Sequence, residues 1–216
     1  MKNRLQSMWK ENKSLVLFIS LMLVFRSAVA DWNDVPTGSM QPTIVEGDRI
    51  LVNKMAYDLR VPFTHTSLVK ISDPKRNDII IFDSKVAEKR LVKRVIGLPS
   101  DRVAMENNVL TINGRQLNYQ TVQTGKLAQD KVENLLGDKH AVRLSNHASP
   151  VASFNSIVVP KDHYLVLGDN RDNSADSRVI GFVPRDEIVG RSQKVVLSLD
   201  YDNYYLPRAD RFLHTL

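Results

Sequence analysis

The chain contains no cysteine. That excludes disulfides, a thiolate nucleophile and Cys-based zinc sites together. It leaves the compartment open, because a domain of this size folds without disulfides on either side of a membrane. There is no internal repeat and no low-complexity tract, which excludes a repeat array. Helical periodicity is scarce after residue 30. There is also no basic helix and no stripe alternating basic and aromatic residues, so the net charge of +6 does not read as nucleic-acid binding. What remains is ordinary for a globular protein: 216 residues, 43% hydrophobic and 25% charged, enough for one large or two small domains. An anionic lipid surface is the partner that such a charge still fits.

The N-terminus points the same way. Lys2, Arg4, Lys10 and Lys13 stand against a single acid, Glu11, ahead of an apolar run from Leu15 to Phe25 broken only by Ser20. Arg26-Ser27 interrupts it, and Ala28-Val29-Ala30 closes it before Asp31. Composition leaves two readings level. A cleaved secretory signal has the same basic start, short apolar core and Ala-x-Ala-like end. A retained signal anchor over 14–30 would be at the short end of the roughly 17–25 residues that span a bilayer, with Arg26 snorkelling to the far interface. In either case the positive flank places the N-terminus in the cytoplasm and the body of the chain outside it.

Beyond Asp31 the pattern predicts a mainly β protein. Asp48–Lys54 and Ile79–Phe82 read as strands, the second apolar enough to be buried on both faces. Val109–Ile112 followed by Asn113-Gly114 is a hairpin signal, since Asn-Gly suits a type I′ turn. Val158-Val159, Tyr164–Leu167 and Lys194–Leu199 add further strands. The stretch from Gln120 to Ala152 is polar and poor in aromatic and β-branched residues, and reads as a loose insertion or mobile loop region.

Three segments carry possible chemistry. The first is the polar run Gly168-Asp-Asn-Arg-Asp-Asn-Ser-Ala-Asp-Ser-Arg178, directly after the apolar His163–Leu167. A polar loop on a rigid strand is a common way to build a site, and also simply a solvated turn. In Pro36-Thr-Gly-Ser-Met-Gln-Pro-Thr43, Gly38 frees the backbone beside Ser39 and two prolines stiffen the flanks. That geometry presents a hydroxyl, or is an ordinary Gly-Ser turn. In Arg90–Pro99, Lys93 lies within an apolar run. Burial would lower its pKa toward that of a general base, whereas an edge strand would put it in solvent. The segment Asp73–Asp78 reads as a turn without catalytic character.

In order, Gly38-Ser-Met-x-Pro-Thr43, Gly47-Asp48, Lys93-Arg-Val-Ile-Gly-Leu-Pro99 and Gly168–Arg178 resemble the boxes of bacterial type I signal peptidases. The resemblance implies a signal-peptidase-like antiparallel β catalytic domain and a serine protease using a Ser/Lys dyad. It assigns Ser39 as nucleophile, Lys93 as general base, and the Ser39 backbone N–H with the Thr37 hydroxyl as oxyanion donors. Ser174 would orient the lysine, and Asp176 with Arg178 would form an ion pair that holds the loop. Val35, Met40, Ile44, Leu91, Val92 and Val166 would line an apolar pocket for the small residues at −1 and −3 of a signal peptide. None of the five histidines falls in a matching box. No cofactor or metal is implied. The partners expected are signal peptides of preproteins and cytoplasmic membrane lipids, with no nucleic acid.

The same resemblance favours a retained anchor, because Ser39 follows closely on Ala30. The organisation expected is then a cytoplasmic N-terminus at 1–13 and one transmembrane helix at 14–30. A catalytic β domain takes 31–105 and 157–216, on the outer side of the cytoplasmic membrane, and a reduced second β subdomain or loop region takes 106–156. Four positions depart from the family pattern: Asn33 for an aromatic, Thr37 for Ser, and Asn77 and Ser100 for Gly. Two other readings remain: a peptidase of the same superfamily dedicated to one substrate, and an inactive tethered protein that binds signal peptides. A self-cleaving Ser/Lys repressor lacks its DNA-binding module.

Overall fold

The computed structural model describes residues 2–64 and 66–216, with side chains from residue 12 onward. Helix α1 (Lys2–Ala28) leads into β1 (Ala30–Asp34), β2 (Asp48–Asn53), β3 (Asp58–Arg60), β4 (Ser67–Lys70), β5 (Ile79–Ser84) and β6 (Lys89–Gly97). There follow β7 (Arg102–Glu106), β8 (Val109–Ile112), β9 (Arg115–Gln116), β10 (Asn118–Thr124), β11 (Ala128–Leu135) and β12 (Asp138–Ser145). The chain ends with β13 (Phe154–Val158), β14 (His163–Leu167), a short helix α2 (Ser177–Ile180), β15 (Val183–Pro184), β16 (Ile188–Asp200) and β17 (Leu206–Pro207).

The main sheet runs β1-β2-β16-β5-β6-β14-β15, with β17 paired to β16, and every pairing in it is antiparallel. Its centre explains the apolar composition of β5. Ile79 and Ile81 enter a core with Val35, Met40, Ile44, Ile50, Val52 and Val195. Ile80 and Phe82, on the other face, enter a second core with Tyr57, Val95, Tyr164, Val166 and Ile188. A strand covered on both sides has no polar face to alternate with. Each such side chain contributes about 1.5–3 kcal/mol by leaving water.

The insertion is more ordered than its composition suggests. Residues 118–145 form a three-stranded antiparallel sheet, β10-β11-β12. This corrects the expected loose loop: polar side chains of these strands bond across the sheet and to the rest of the protein. A four-stranded sheet, β13-β7-β8-β9, sits beside it, with Val103 opposite Ile112. The boundary drawn between 105 and 106 therefore falls inside a hairpin. Val103, Met105, Leu110, Ile112 and Leu135 share one core with Ile96, Leu165 and Leu167 of the main sheet. The hairpin at Asn113-Gly114 has φ of 51° and 80° there, both positive as a type I′ turn requires.

At the N-terminal end, the helix stops at Ala28 and Ala30 already pairs with Asn53. The helical part of the expected 14–30 span is thus shorter than drawn. Just beyond the apolar run, Arg26 pairs with Asp31 at 2.7 Å and stacks over the Trp32 ring at 4.1 Å. The hydrophobic side chains of Leu15–Phe25 are exposed. Among the described residues no helix is long and apolar enough to cross a membrane. The basic side chains of Lys2, Arg4 and Lys10 lie outside the described residues.

The two departures from glycine both fall at positive φ, 73° at Asn77 and 73° at Ser100. They are not equivalent. Asn tolerates the left-handed region, and Asn77 uses its side chain and carbonyl oxygens to accept Arg94 Nη1 at 2.9 and 3.2 Å. Ser100 is exposed, the third residue of the turn closed by the 3.0 Å bond from Asp101 N to the Leu98 carbonyl, where Pro99 precedes it. This is a type II turn position that favours glycine. Ser100→Gly is expected to stabilise the protein by roughly 0.5–1 kcal/mol, the left-handed cost of about 1–2 kcal/mol less the unfolded-state entropy of glycine. Thermal unfolding of the full chain in detergent checks this, and an unmoved or lowered midpoint would refute it.

Candidate active site

The functional side chains come from three places in the chain that the main sheet brings together. Ser39 lies in a single 3₁₀ turn, Gly38–Met40, between Pro36 and Pro42. Lys93 lies within β6, paired opposite Ile80 of β5. Its Nζ is 2.8 Å from Ser39 Oγ and 3.0 Å from the Val92 carbonyl oxygen. Lys93 is only 2% exposed. Burial pushes its ammonium down from the ordinary 10.5 to about 8, against the opposing charges of Asp176 and Asp169. The buried-lysine reading of Arg90–Pro99 is therefore the one observed, and the solvent-facing edge lysine is not.

A groove of about 370 Å³ opens beside this pair. Its lining includes Val35, Thr37, Ser39 and Met40 on one wall and Leu91, Val92 and Lys93 on the other, with Trp32 and Asn33 at one end. Four of the six expected pocket residues, Val35, Met40, Leu91 and Val92, thus meet there. Ile44 and Val166 do not. Both are 0% exposed, Ile44 beneath Met40 in one core and Val166 within the other. Asn33, in the place of an aromatic, borders the groove beside Trp32, which is itself half exposed.

The polar run after β14 folds inward rather than into solvent. Gly168 has no room for a side chain: a Cβ there would come within 2.2 Å of Ser174 Oγ and 2.5 Å of the Ser39 carbonyl oxygen. Its N–H donates to Asp176 Oδ2 at 2.9 Å, and Asp176 also takes Arg178 Nε and Nη2 at 2.8 and 2.6 Å. The Asp176–Arg178 pair is present as expected, and Arg178 extends it to the Val151 carbonyl at 3.0 Å. Ser174 is placed differently from the expectation. Its Oγ is buried and makes no hydrogen bond, while the Val92 carbonyl is the second acceptor of Lys93.

Residues of the run outside the expected site set anchor it to the Ser39 turn and to the structure around that turn. Asn170 donates from its backbone N–H to the Ser39 carbonyl at 3.1 Å and from Nδ2 to the Gly38 carbonyl at 3.0 Å. Asp169 accepts Arg94 Nε and Nη2 at 2.8 and 2.7 Å and the Thr43 hydroxyl at 2.5 Å. Burial alone would raise the Asp169 carboxyl, but Arg94 outweighs it and holds the group below the usual carboxylate range. Arg171, 0% exposed, forks onto Glu133 of β11 at 2.7 and 2.8 Å. The clue available in the sequence was Arg94, a second cation beside Lys93 in an apolar strand, matched by an acid-rich run further on.

This arrangement puts a serine hydroxyl in contact with an amine of depressed pKa, with a groove beside both. No group of His, Asp or Glu among the described residues is placed to hold a metal ion. The model of the family described as signal peptidase, peptidase S26, matches residues 8–197. Signal peptidase I of Pseudomonas aeruginosa is 34% identical over 202 residues, 86% of this chain and 71% of its own. Signal peptidase I P of Bacillus subtilis subsp. natto is 34% identical over 190 residues, 87% of this chain and 88% of its own. A crystal structure of a signal peptidase I from Enterococcus faecalis overlays with a TM-score of 0.38 at 31% identity, covering 56% of this chain and 98% of that one. The Ser39 and Lys93 boxes, the β-rich fold and the match over most of the chain lead to one assignment: this protein belongs to the signal peptidase family, peptidase S26.

Proposed function

We propose that this serine endopeptidase cleaves N-terminal signal peptides from preproteins with Ser39 as nucleophile and Lys93 as general base. The observation that carries the reading is the 2.8 Å contact between Lys93 Nζ and Ser39 Oγ in a site where Lys93 is almost fully buried. Neutral Lys93 removes the Ser39 hydroxyl proton as Oγ attacks the scissile carbonyl. The Ser39 N–H and the Thr37 hydroxyl, at the mouth of the groove, serve the developing oxyanion. Lys93 then passes its proton to the leaving amine, which frees the mature chain and leaves an ester on Ser39. Water, deprotonated by the same lysine, hydrolyses that ester.

Substrate recognition follows from the strand edges. Residues 89–93 of β6 pair with β5 on one side, while β14 joins the other side only from Arg94. An extended peptide can add along that vacant edge, with main-chain bonds giving affinity and alternate side chains entering the groove. Val35, Met40, Leu91 and Val92 make the groove wall apolar, so small residues at −1 and −3 fit and bulky ones are excluded by collision. Ser174 retains a proposed part: its buried hydroxyl packs against Gly168 and is unengaged, ready to bond once the lysine moves during the reaction.

The exposed apolar side chains of α1 and its basic flank support a signal anchor in the cytoplasmic membrane, with the catalytic domain on the outer side in contact with its lipids. The sheet and its insertion act as catalytic domain and smaller subdomain. A panel of unrelated preproteins incubated with the full chain in detergent tests the function. We expect cuts after small residues at −3 and −1 in most of them, mapped by mass spectrometry. Cleavage of one preprotein alone favours the dedicated-peptidase reading, and cleavage of none favours a tethered binding protein.

A further inference from the structure

We propose that Gln41 and Arg143 are a positioning pair through which the β10–β12 sheet holds the turn carrying Ser39. Arg143, in β12, forks onto Asp130 of β11 with Nε–Oδ1 at 2.7 Å and Nη2–Oδ2 at 2.8 Å. The fork leaves Nη1 pointing away from the sheet, and it donates to Gln41 Oε1 at 2.8 Å. Gln41 immediately follows the Gly38–Met40 turn, and its backbone N–H closes that turn on the Gly38 carbonyl at 3.1 Å. Its amide folds back over Gly38, where a Cβ would come within 3.0 Å of Gln41 Nε2. The amide of Gln41 therefore backs the peptide that bears the Ser39 N–H, and Arg143 fixes that amide in place.

The backbone of Arg143 reaches the same site from the other side. Its N–H donates to the Asp169 carbonyl at 2.8 Å, and Arg171 N donates to the Arg143 carbonyl at 2.9 Å. These bonds bracket Asn170, whose own two bonds hold the Gly38 and Ser39 carbonyls. One residue of the insertion thus contacts both neighbours of the nucleophile turn: the loop through its main chain, and Gln41 through its side chain. The main-chain bonds survive truncation of the side chain, and the Arg143–Asp130 fork survives loss of Gln41. Each side chain can therefore be removed without dismantling the sheet. A misplacement of about 1 Å at a reacting group can cost up to roughly a hundredfold in rate.

The proposal rests on Ser39 being the nucleophile, so Ser39→Ala is assayed in parallel. We expect Arg143→Ala and Gln41→Leu in the full chain each to lower kcat about ten- to a hundredfold on a preprotein. KM should stay within about twofold, because the groove is untouched. The double variant should be no slower than the slower single, since both act through one contact. Gln41→Glu, which keeps an acceptor oxygen for Arg143, should restore kcat to within about threefold of wild type. An unfolding midpoint of Gln41→Leu close to wild type separates positioning from loss of fold. Wild-type kcat in both singles, losses that multiply in the double, or a change confined to KM would each overturn the proposal. If any of these appears while Ser39→Ala is dead, only the positioning role falls. An active Ser39→Ala would remove the nucleophile assignment itself.

Discussion

Ser39→Ala and Lys93→Met are each expected to reduce preprotein cleavage by at least about 10²–10⁴-fold, the range that a positioned acid–base group supplies. The two losses should not add. Without Lys93 the Ser39 hydroxyl keeps its proton, and without Ser39 the lysine has no nucleophile to activate. Lys93→Arg should be as poor as Lys93→Met, because a guanidinium stays charged throughout the working pH range and cannot serve as a base. Rates measured under single-turnover conditions decide the matter. Wild-type rates in either Ser39→Ala or Lys93→Met would end the dyad assignment.

The same lysine sets the pH dependence. With neutral Lys93 as the proposed base, the rate should rise with pH through about 8 and then level off. Stability follows with a sign that can be worked out. A cation whose pKa is lower in the folded state than in the unfolded state is a cost wherever the unfolded lysine is protonated. Between about 8 and 10.5 the unfolded chain binds the extra proton, so stability rises with pH across that window. The full difference is worth about 3 kcal/mol. Lys93→Met should then be inactive yet more stable than wild type at neutral pH, which a higher unfolding midpoint would register. A lower midpoint would mean that Lys93 does not carry a burial cost.

How much of this could be read from the residues depends on the range of the interaction. Apolar Ile79–Phe82 announced a doubly covered strand, and Asn113-Gly114 announced its turn, because both signals are local. The boxes single out Ser39 and Lys93 as a proposed pair, and their 2.8 Å contact belongs to the fold. The insertion was misread for a physical reason. Its strands keep polar residues such as Glu133 and Arg143, whose partners Arg171 and Gln41 lie far along the chain, so polarity there marked side-chain pairing and not looseness. Ile44 and Val166 show the converse. An apolar residue in a matching box is equally suited to a groove wall or to the core behind it, and only packing separates the two. The charges of Gly168–Arg178 suggested a surface turn because Arg171 looks solvated until Glu133 is placed against it.

That buried pair carries the largest stability effect expected in the protein. Glu133 and Arg171 are both 0% exposed, and the fork between them is joined by the Tyr119 hydroxyl, which donates to Glu133 Oε2 at 2.5 Å. His140 Nε2 lies 3.3 Å from the other carboxylate oxygen. Burial alone would push the Glu133 carboxyl up, but the Arg171 charge and fork, with the nearby His140 ring, hold it well below the usual carboxylate range. Arg171→Met or Glu133→Leu leaves a lone buried charge and should cost about 3–5 kcal/mol. The double variant Glu133→Leu/Arg171→Met should recover most of that, since removing both charges removes the desolvation penalty with the attraction. Acid acts in the same direction as the single variants. Burial lowers the His140 pKa, so stability falls as pH drops below about 6.5 and the unfolded histidine binds a proton. It falls again below the ordinary Glu value of 4.5 as the unfolded Glu133 protonates first. Chemical denaturation of the wild type, the two singles and the double across pH 4–8 measures all of this. Single variants as stable as wild type at pH 7, or a double no better than the worse single, would show that the pair does not tie the insertion to the Gly168–Arg178 run.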